Sequence, residues 1–393
     1  MLKIKRLCID GVGGISSLDI KFKDGVNIIC GPNGIGKTTI LDSIVAPFAP
    51  STTNIQNLKR NALVEEGSIK ISIDKDYQDK ETQMIIKEID PESINRGVNW
   101  YEFGKELILF KTHRDINYTS VESIKKDIID SSFKIADKQT NRGVQSENIK
   151  QWFIHRYMWS AHEPGLTETQ KENFELAKSC FSLLDEDIKF YKVTPNTHDI
   201  KLNTNLGEIY YEYLSSGHKS VLHLLLGFIK EIEYRFSGSN ITAKDFNGVI
   251  LVDEIDLHLH PEWQRKIIKY MKELFPKAQI IVTTHSPHII QSAEFDEVIP
   301  LYDEKNGNLL VKEIYKMEYG FQGWSVEEIL KEVMGLETVQ SDLYNKIMDN
   351  FEKAIDSDNY IDAKNNYEIL EKMLHPQNAM LKLLKIQMIG MEK

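Results

Sequence analysis

The chain has 393 residues, with 59 acidic against 48 basic side chains and a formal net charge of −11. That balance argues against tight, sequence-independent wrapping of nucleic acid by a bare monomer, because neutralising phosphates supplies most of that affinity; it leaves room for a local basic groove. No apolar stretch approaches a membrane span, no signal-type segment is expected, and three scattered cysteines (Cys8, Cys30, Cys180) fit a reducing cytoplasm better than a disulfide framework.

The first 90 or so residues show strand composition at Leu2–Ile9, Ser17–Phe22, Ser68–Asp74 and Gln83–Ile89, with a tight turn at Val12-Gly13-Gly14. The apolar run Val26–Cys30 leads into Gly31-Pro32-Asn33-Gly34-Ile35-Gly36-Lys37-Thr38, followed by an amphipathic helix from Thr39 to Ile44. Strand, glycine loop and helix form the context in which G-x-x-x-x-G-K-[ST] cradles a polyphosphate. The glycines let successive N–H groups turn toward negative charge, Lys37 reaches the outer phosphates, and the Thr38 hydroxyl suits a magnesium ion, which takes oxygen ligands. Asn33, Gly34, Gly36, Lys37, Thr38 and Thr39 are the expected nucleotide-binding residues. The segment Ala46–Asn61, rich in Pro, Ser, Thr and Asn, reads as a loop.

Leu107–Lys111 is a further buried strand type, ending at Thr112-His113-Arg114; His113 and Arg114 are candidates for a place near phosphate. From Tyr118 to Tyr191 the pattern is helical and polar. Trp152 and Phe153 with Arg156 suit either stacking on bases or the small core of a helical insertion, and the insertion is the reading taken. No sustained heptad run follows, so this insertion is a lid rather than a coiled-coil arm.

Leu214-Ser215-Ser216-Gly217-His218 opens an apolar helix through Ile229 and offers a second anion-binding helix start. Gly248–Glu254 is a β-branched buried strand ending in two carboxylates, where Asp253 can hold magnesium and Glu254 can take a proton from water; a solvated acidic turn is the alternative. Ala278–Thr284 is a similar strand ending at His285, placed to sense a γ-phosphate or to serve as an ordinary turn histidine. His258 and His260 could suggest a metal pair, but no further ligands complete a set, so structural histidines in a loop are expected. Beyond an acidic turn at 303–308, Leu309–Ile314 reads as an edge strand. The tail from Gly323 is helical: Ser325-Val326-Glu327-Glu328 is a capping box, Gly335 a stop, and His375-Pro376 divides later helices. Tyr367, Leu370, Leu374, Met380, Leu381, Leu384 and Met388 give those helices apolar faces for a partner, a second copy or the head itself.

In the order phosphate loop, Leu-Ser-Ser-Gly-His, Asp-Glu strand and strand-end histidine, the chain resembles ABC-type ATPases, whose signature is usually Leu-Ser-Gly-Gly-Gln. The stretch Leu257-His258-Leu259-His260-Pro261-Glu262-Trp263-Gln264 is similar to soluble RecF-like and overcoming-lysogenization-defect-like members, among them the ATPase subunits of Septu and retron anti-phage systems. The resemblance implies an α/β ABC-type P-loop head, with a mixed central sheet and an antiparallel β subdomain, a helical insertion and a helical C-terminal tail. It divides the chain at 1–110, 111–205, 206–318 and 319–393. It implies ATP and Mg2+ as ligands, metal held by Thr38 and Asp253, Glu254 as general base and His285 as switch. Ser215 and Gly217 would reach a second protomer's nucleotide. The expected partners are a second copy of the chain and a separate nuclease effector, with nucleic acid open and no membrane. A RecF-like DNA-repair switch and an ATP-binding scaffold with little turnover are the alternatives. Two departures stand out: Leu259-His260 replaces the Leu-Asp of chromosome-structure ATPases, and Ser216 and His218 replace the usual signature Gly and Gln.

Overall fold

The computed structural model describes residues 1–98, 100–112, 120, 121, 123, 127, 129–144 and 149–390; His113 and Arg114 lie outside them. The chain forms two compact units, Met1–Gly335 and Leu336–Lys393.

The larger unit opens with β1 (Leu2–Val12) and β2 (Ile15–Lys21), which pair antiparallel around the turn at Gly13. After β3 (Val26–Cys30) and α1 (Lys37–Val45) come the two-residue β4 (Asn54–Ile55), then β5 (Gly67–Lys75), β6 (Asp79–Ile86), the two-residue β7 (Asn95–Arg96) and β8 (Leu107–Phe110). Helices α2 (Ser132–Arg142), α3 (Ile149–Ser160) and α4 (Glu168–Ser179) follow. A separate antiparallel sheet comes next, β9 (Lys189–Val193), β10 (Ile200–Thr204) and β11 (Gly207–Tyr210). The second half of the head holds α5 (Ser216–Arg235), β12 (Val249–Val252), α6 (Pro261–Leu274), β13 (Gln279–Thr283), α7 (Pro287–Ser292), β14 (Val298–Lys305), β15 (Asn308–Val311) and α8 (Val326–Glu328).

Ten strands make one sheet in the order β6-β5-β1-β2-β15-β14-β3-β13-β12-β8. The half from β14 to β8 is parallel, and the half from β6 to β2 antiparallel. The stretch expected at the sheet edge is interior: β15 pairs antiparallel with β14 and touches β2 at Asn308–Ser17, so it joins the two halves. Its alternating, half-polar pattern resembles an edge because its pairing to β2 is a single register position.

Period-two alternation sorts the parallel strands between two cores. Ile28, Phe110, Ile250, Val252, Ile280 and Val282 belong to one apolar cluster, whereas Ile29, Leu109, Leu251 and Ile281 belong to the other. Both faces are covered, which is why these strands read as unbroken apolar runs. α5 packs into the first cluster through Phe228, whose ring centroid lies 4.4 Å from that of Phe110. Gly227 on the same helix admits that ring, since a Cβ there would sit 2.6 Å from Phe110.

The lid helices do not build a core of their own. Trp152 and Phe153 are fully buried in the same cluster as α5, and Trp152 Nε1 donates to Glu233 Oε1 at 2.9 Å. Arg156, also buried, donates to Glu233 and to Asp127, a charge-assisted pairing that accounts for a guanidinium inside the protein. Base stacking by this trio is therefore closed off. The final part of the insertion supplies β9 and β10 of the small sheet rather than helix; their polar faces hid the alternation.

The smaller unit contains α9 (Asp342–Asp356), α10 (Tyr360–Met373) and α11 (Ala379–Ile389), capped by Ser341, Asn359 and Asn378. Its apolar residues meet one another: Ile347, Phe351, Ala363, Leu370 and Leu384 form the core, with Tyr367, Leu374 and Met388 against it. Much of the tail's apolar surface thus serves three-helix packing, an arrangement short amphipathic helices need for stability.

The two halves of the large sheet are also clamped by one amide. Gln279 on β13 is fully buried; its Oε1 accepts from Ile4 N at 2.7 Å, and its Nε2 donates to Ile4 O and Lys23 O at 2.8 and 2.7 Å. Gln279→Leu leaves those backbone groups without partners in a dry interior. We expect it to destabilise the large unit by about 3 kcal/mol, read as a lower urea midpoint with an unchanged slope.

Candidate functional site

Strands β3, β8, β12 and β13 run parallel, so their carboxyl ends emerge on one rim, where ligands gather in open α/β sheets. From β3 the chain turns through Gly31, Gly34 and Gly36 at φ +150°, +77° and +101°, backbone states that glycine alone takes without strain. A Cβ at Gly31 would strike Leu301 O at 2.7 Å, while one at Gly34 would meet nothing within 4 Å, which leaves that side of the loop open. Asn33 and Gly34 are exposed at its tip. α1 starts at Lys37 with no side-chain cap and no acidic residue in its first turn, so its first N–H groups, including those of Thr38 and Thr39, offer an uncontested anion site. Lys37 Nζ folds back onto the carbonyls of Gly31 and Pro32, 2.9 Å from each. Burial lowers its pKa, with Cys30, Glu254, Asp253 and Asp256 pulling the other way.

The second motif meets the first. Thr38 Oγ1 donates to Asp253 Oδ2 at 2.9 Å, across 215 positions of chain. Thr283 Oγ1, at the end of β13, donates to Asp253 Oδ1 at 2.6 Å and accepts from Glu254 N at 2.7 Å. Glu254 is partly exposed and held at φ +47°, a left-handed state that costs a non-glycine residue about 1 kcal/mol or more. Asp256 accepts from Thr284 Oγ1 at 2.6 Å and from His285 N at 3.1 Å, fixing the third strand end. His285 is half-buried; burial lowers its pKa and so does the nearby Lys37, against the pull of Asp256, Glu254 and Asp253.

The signature segment has a different character. Ser215 caps α5, accepting from His218 N at 3.3 Å, and its Oγ lies 2.8 Å from His218 Nδ1. Ser215 and Ser216 are exposed, but Gly217 is buried. A Cβ on Gly217 would stand 2.6 Å from the Trp263 ring and 2.9 Å from His258 O, so this glycine serves close packing. His218 meets Trp263 edge-on at 4.1 Å, and Ser220 Oγ donates to Leu257 O at 3.2 Å. The 257–264 stretch therefore lies under the start of α5. His260 caps α6, accepting from Glu262 N. Gln264 closes the path to the third strand: its Oε1 accepts from Ser286 Oγ at 2.6 Å.

A family model described as "AAA domain, putative AbiEii toxin, Type IV TA system" matches residues 26–291, two thirds of the chain and all of this rim. The chain is 46% identical over 392 residues to the Septu protein PtuA of Bacillus thuringiensis, covering 98% of each. It belongs to the PtuA family of ABC-type ATPases. A further relative is the Retron Ec83 probable ATPase of Escherichia coli, 24% identical, with 98% of this chain and 86% of that protein covered. Among solved structures, an SmcHead bound to the C-winged helix domain of ScpA aligns with 79% of this chain and 98% of that one, at 15% identity and TM-score 0.49.

In this PtuA-family member, sequence reasoning passed over Thr283 and Asp256. The signal was present: a third carboxylate two residues beyond Glu254, and paired threonines before His285. Lys111 also escaped notice; its Nζ lies 2.8 Å from Asp42 Oδ1 on α1, a carboxyl whose pKa burial raises and Lys111 lowers. No group of three or more His, Cys, Asp or Glu side chains among the described residues is arranged to hold a metal, and no described helix is long and apolar enough to cross a membrane. The hydroxyl of Thr38 and the carboxylate of Asp253, which already meet on this rim, are the oxygen donors that would hold a magnesium ion there. Thr283→Val removes the hydroxyl that orients Asp253 and satisfies Glu254 N. It should raise the Mg2+ concentration for half-maximal ATP turnover about tenfold, measured by Mg2+ titration of phosphate release.

Proposed function

We propose that the chain binds Mg-ATP on this rim, pairs with a second copy on the nucleotide and hydrolyses it slowly, as a timed switch for a separate nuclease effector in bacterial anti-phage defence. The observation that carries the reading is the 2.9 Å contact between Thr38 Oγ1 and Asp253 Oδ2, which unites two motifs that have no reason to meet unless they share a ligand. The defence context comes from the Septu and retron relatives.

The first-turn N–H groups of α1 and the open side of Gly34 receive the phosphates, with Asn33 and Gly36 shaping the loop around them. Lys37 leaves its carbonyl partners to neutralise the outer phosphates. Thr38 and Asp253 hold magnesium, which when bound spreads the negative charge of the phosphates. Water attacks the γ-phosphorus as Glu254 accepts its proton, and ADP departs with the electrons of the broken bond. His285, its backbone N–H held by Asp256, hydrogen-bonds the γ-phosphate through its ring and registers its loss. Ser215, exposed at the start of α5, completes the site from a second protomer, where the helix N-terminus faces the γ-phosphate. Gly217 acts there by letting α5 approach Trp263.

Lys37→Ala should weaken ATP binding about 100-fold in equilibrium titration, since a charge-assisted contact and its field are both lost. Glu254→Gln should keep nucleotide and slow turnover by about 10²–10⁴, leaving an ATP-stabilised dimer visible in sedimentation. Wild-type turnover by Glu254→Gln would remove that residue as base; an ATP complex that sediments as monomer would remove the paired arrangement.

A further inference from the structure

The head carries a second concave feature on the segment between β15 and the end of the large unit. Met317, Tyr319 and Trp324 line a groove of about 650 Å³ together with Glu318, Glu328 and Glu332. That volume lies in the range of sites that hold a small ligand or a few side chains. Tyr319 and Met317 are 73% and 47% exposed, an unusual amount of aromatic and thioether surface to leave against water. Every charged residue lining the groove is a carboxylate. Glu318 has no ion-pair partner among the described residues, and Glu328 is engaged in capping, its Oε2 accepting from Ser325 N at 2.6 Å. Glu332 is 65% exposed, with Lys312 at 3.6 Å, and Lys331 pairs with Glu327 at 3.0 Å.

The groove's walls are attached to the nucleotide rim at two points. Trp324 O accepts from Gln291 Nε2 at 2.8 Å, and Gln291 lies on α7, the short helix that begins two residues after His285. Phe295, just beyond α7, stacks on Phe321 with centroids 5.4 Å apart. From the other side, α8 continues as a π-helical turn, Ile329–Val333, and ends at Gly335 with φ +73°. A Cβ on Gly335 would lie 3.4 Å from Pro32 of the phosphate loop. A π turn inside a helix is a local strain that often marks a functional site, and here it separates the groove from the loop that Lys37 closes.

We propose that this groove is the docking site for a basic, apolar-anchored polypeptide segment of a partner protein, and that its grip changes with the nucleotide held by the head. The charge complementarity selects the partner's chemistry: a lysine or arginine meets Glu318 and Glu332, while an aliphatic or aromatic neighbour fills the space between Tyr319 and Trp324. Nucleotide reaches the groove through Pro32–Gly335 and through His285, α7 and Gln291–Trp324. The coupling half of the proposal rests on the nucleotide reading given above; the docking half does not.

The test uses the full chain and three fluorescently labelled twelve-residue peptides, alternating Arg/Leu, Glu/Leu and Ser/Leu, followed by anisotropy with and without ATP in the Glu254→Gln background. The Arg/Leu peptide should bind about tenfold or more tighter than either of the others. Tyr319→Ala, at a well-exposed position, should abolish that binding. The Glu318→Lys, Glu332→Lys double variant should invert the preference toward Glu/Leu. ATP should shift the Arg/Leu affinity by about fivefold or more in either direction, and Lys37→Ala should erase the shift while leaving nucleotide-free binding intact. Equal binding of all three peptides, indifference to Tyr319→Ala, no inversion in the double variant, an affinity blind to ATP in a chain that binds ATP, or Tyr319-dependent self-association without peptide would each overturn it. Peptide binding that obeys Tyr319 and the charge swap in a chain that does not bind ATP would sink the nucleotide reading while upholding docking.

Discussion

One carboxylate organises the rim. Asp253 leaves β12 with its backbone N–H on Phe110 O of β8, and accepts from Thr38 of α1 and Thr283 of β13. Four segments far apart in sequence are thereby held at one point. The carboxylate is buried and fully engaged, so its oxygens are oriented before a ligand arrives. Preorganisation of this kind lets a site act on a phosphate without first rearranging itself. The same construction explains the strained Glu254: its N–H is held by the hydroxyl that holds Asp253, so the proposed base and the proposed metal ligand are tied to one side chain.

The 257–264 stretch gains a physical meaning from its contacts. Trp263 covers Gly217 and touches His218, Leu257 O accepts from Ser220, and Gln264 reaches Ser286 beside His285. The segment thus joins the exposed helix start at Ser215 to the strand end at His285. His218, standing where transporters carry glutamine, is half-buried against Trp263 and bonded to Ser215, so the departure from the usual signature is matched by a departure in its support. Ser215 and His285 are thus linked through packed side chains of one chain, His218, Trp263, Gln264 and Ser286.

The strands before the glycine loop, before Asp253-Glu254 and before His285 were legible because each is a short apolar run with a sharp polar end. Strands at Val26–Cys30, Val249–Val252 and Gln279–Thr283 lie within a residue or two of where composition placed them. Less legible was anything fixed by long-range pairing. β15 looked like an edge because its alternation is half-polar, though it bridges the halves of the sheet. The lid aromatics were assigned a private core and instead share that of α5, a distinction periodicity cannot make, since Trp152 and Phe153 are apolar toward whatever covers them. Gly217 meets a packing requirement as well, which its place at a helix start did not announce. Thr283, Asp256 and Gln279 carry hydrogen bonds that only the folded register creates, and no local pattern announces them.

The central claim is that a complete site takes its phosphate loop from one copy and its Ser215 helix from another. The most direct test mixes two inactive variants, Lys37→Ala and Ser215→Arg, and measures phosphate release. In a shared arrangement each mixed pair retains one intact site, so an equimolar mixture should recover about a quarter of wild-type turnover, half of the pairs being mixed. A mixture as inactive as its two components would place all catalytic groups within one chain and contradict the account.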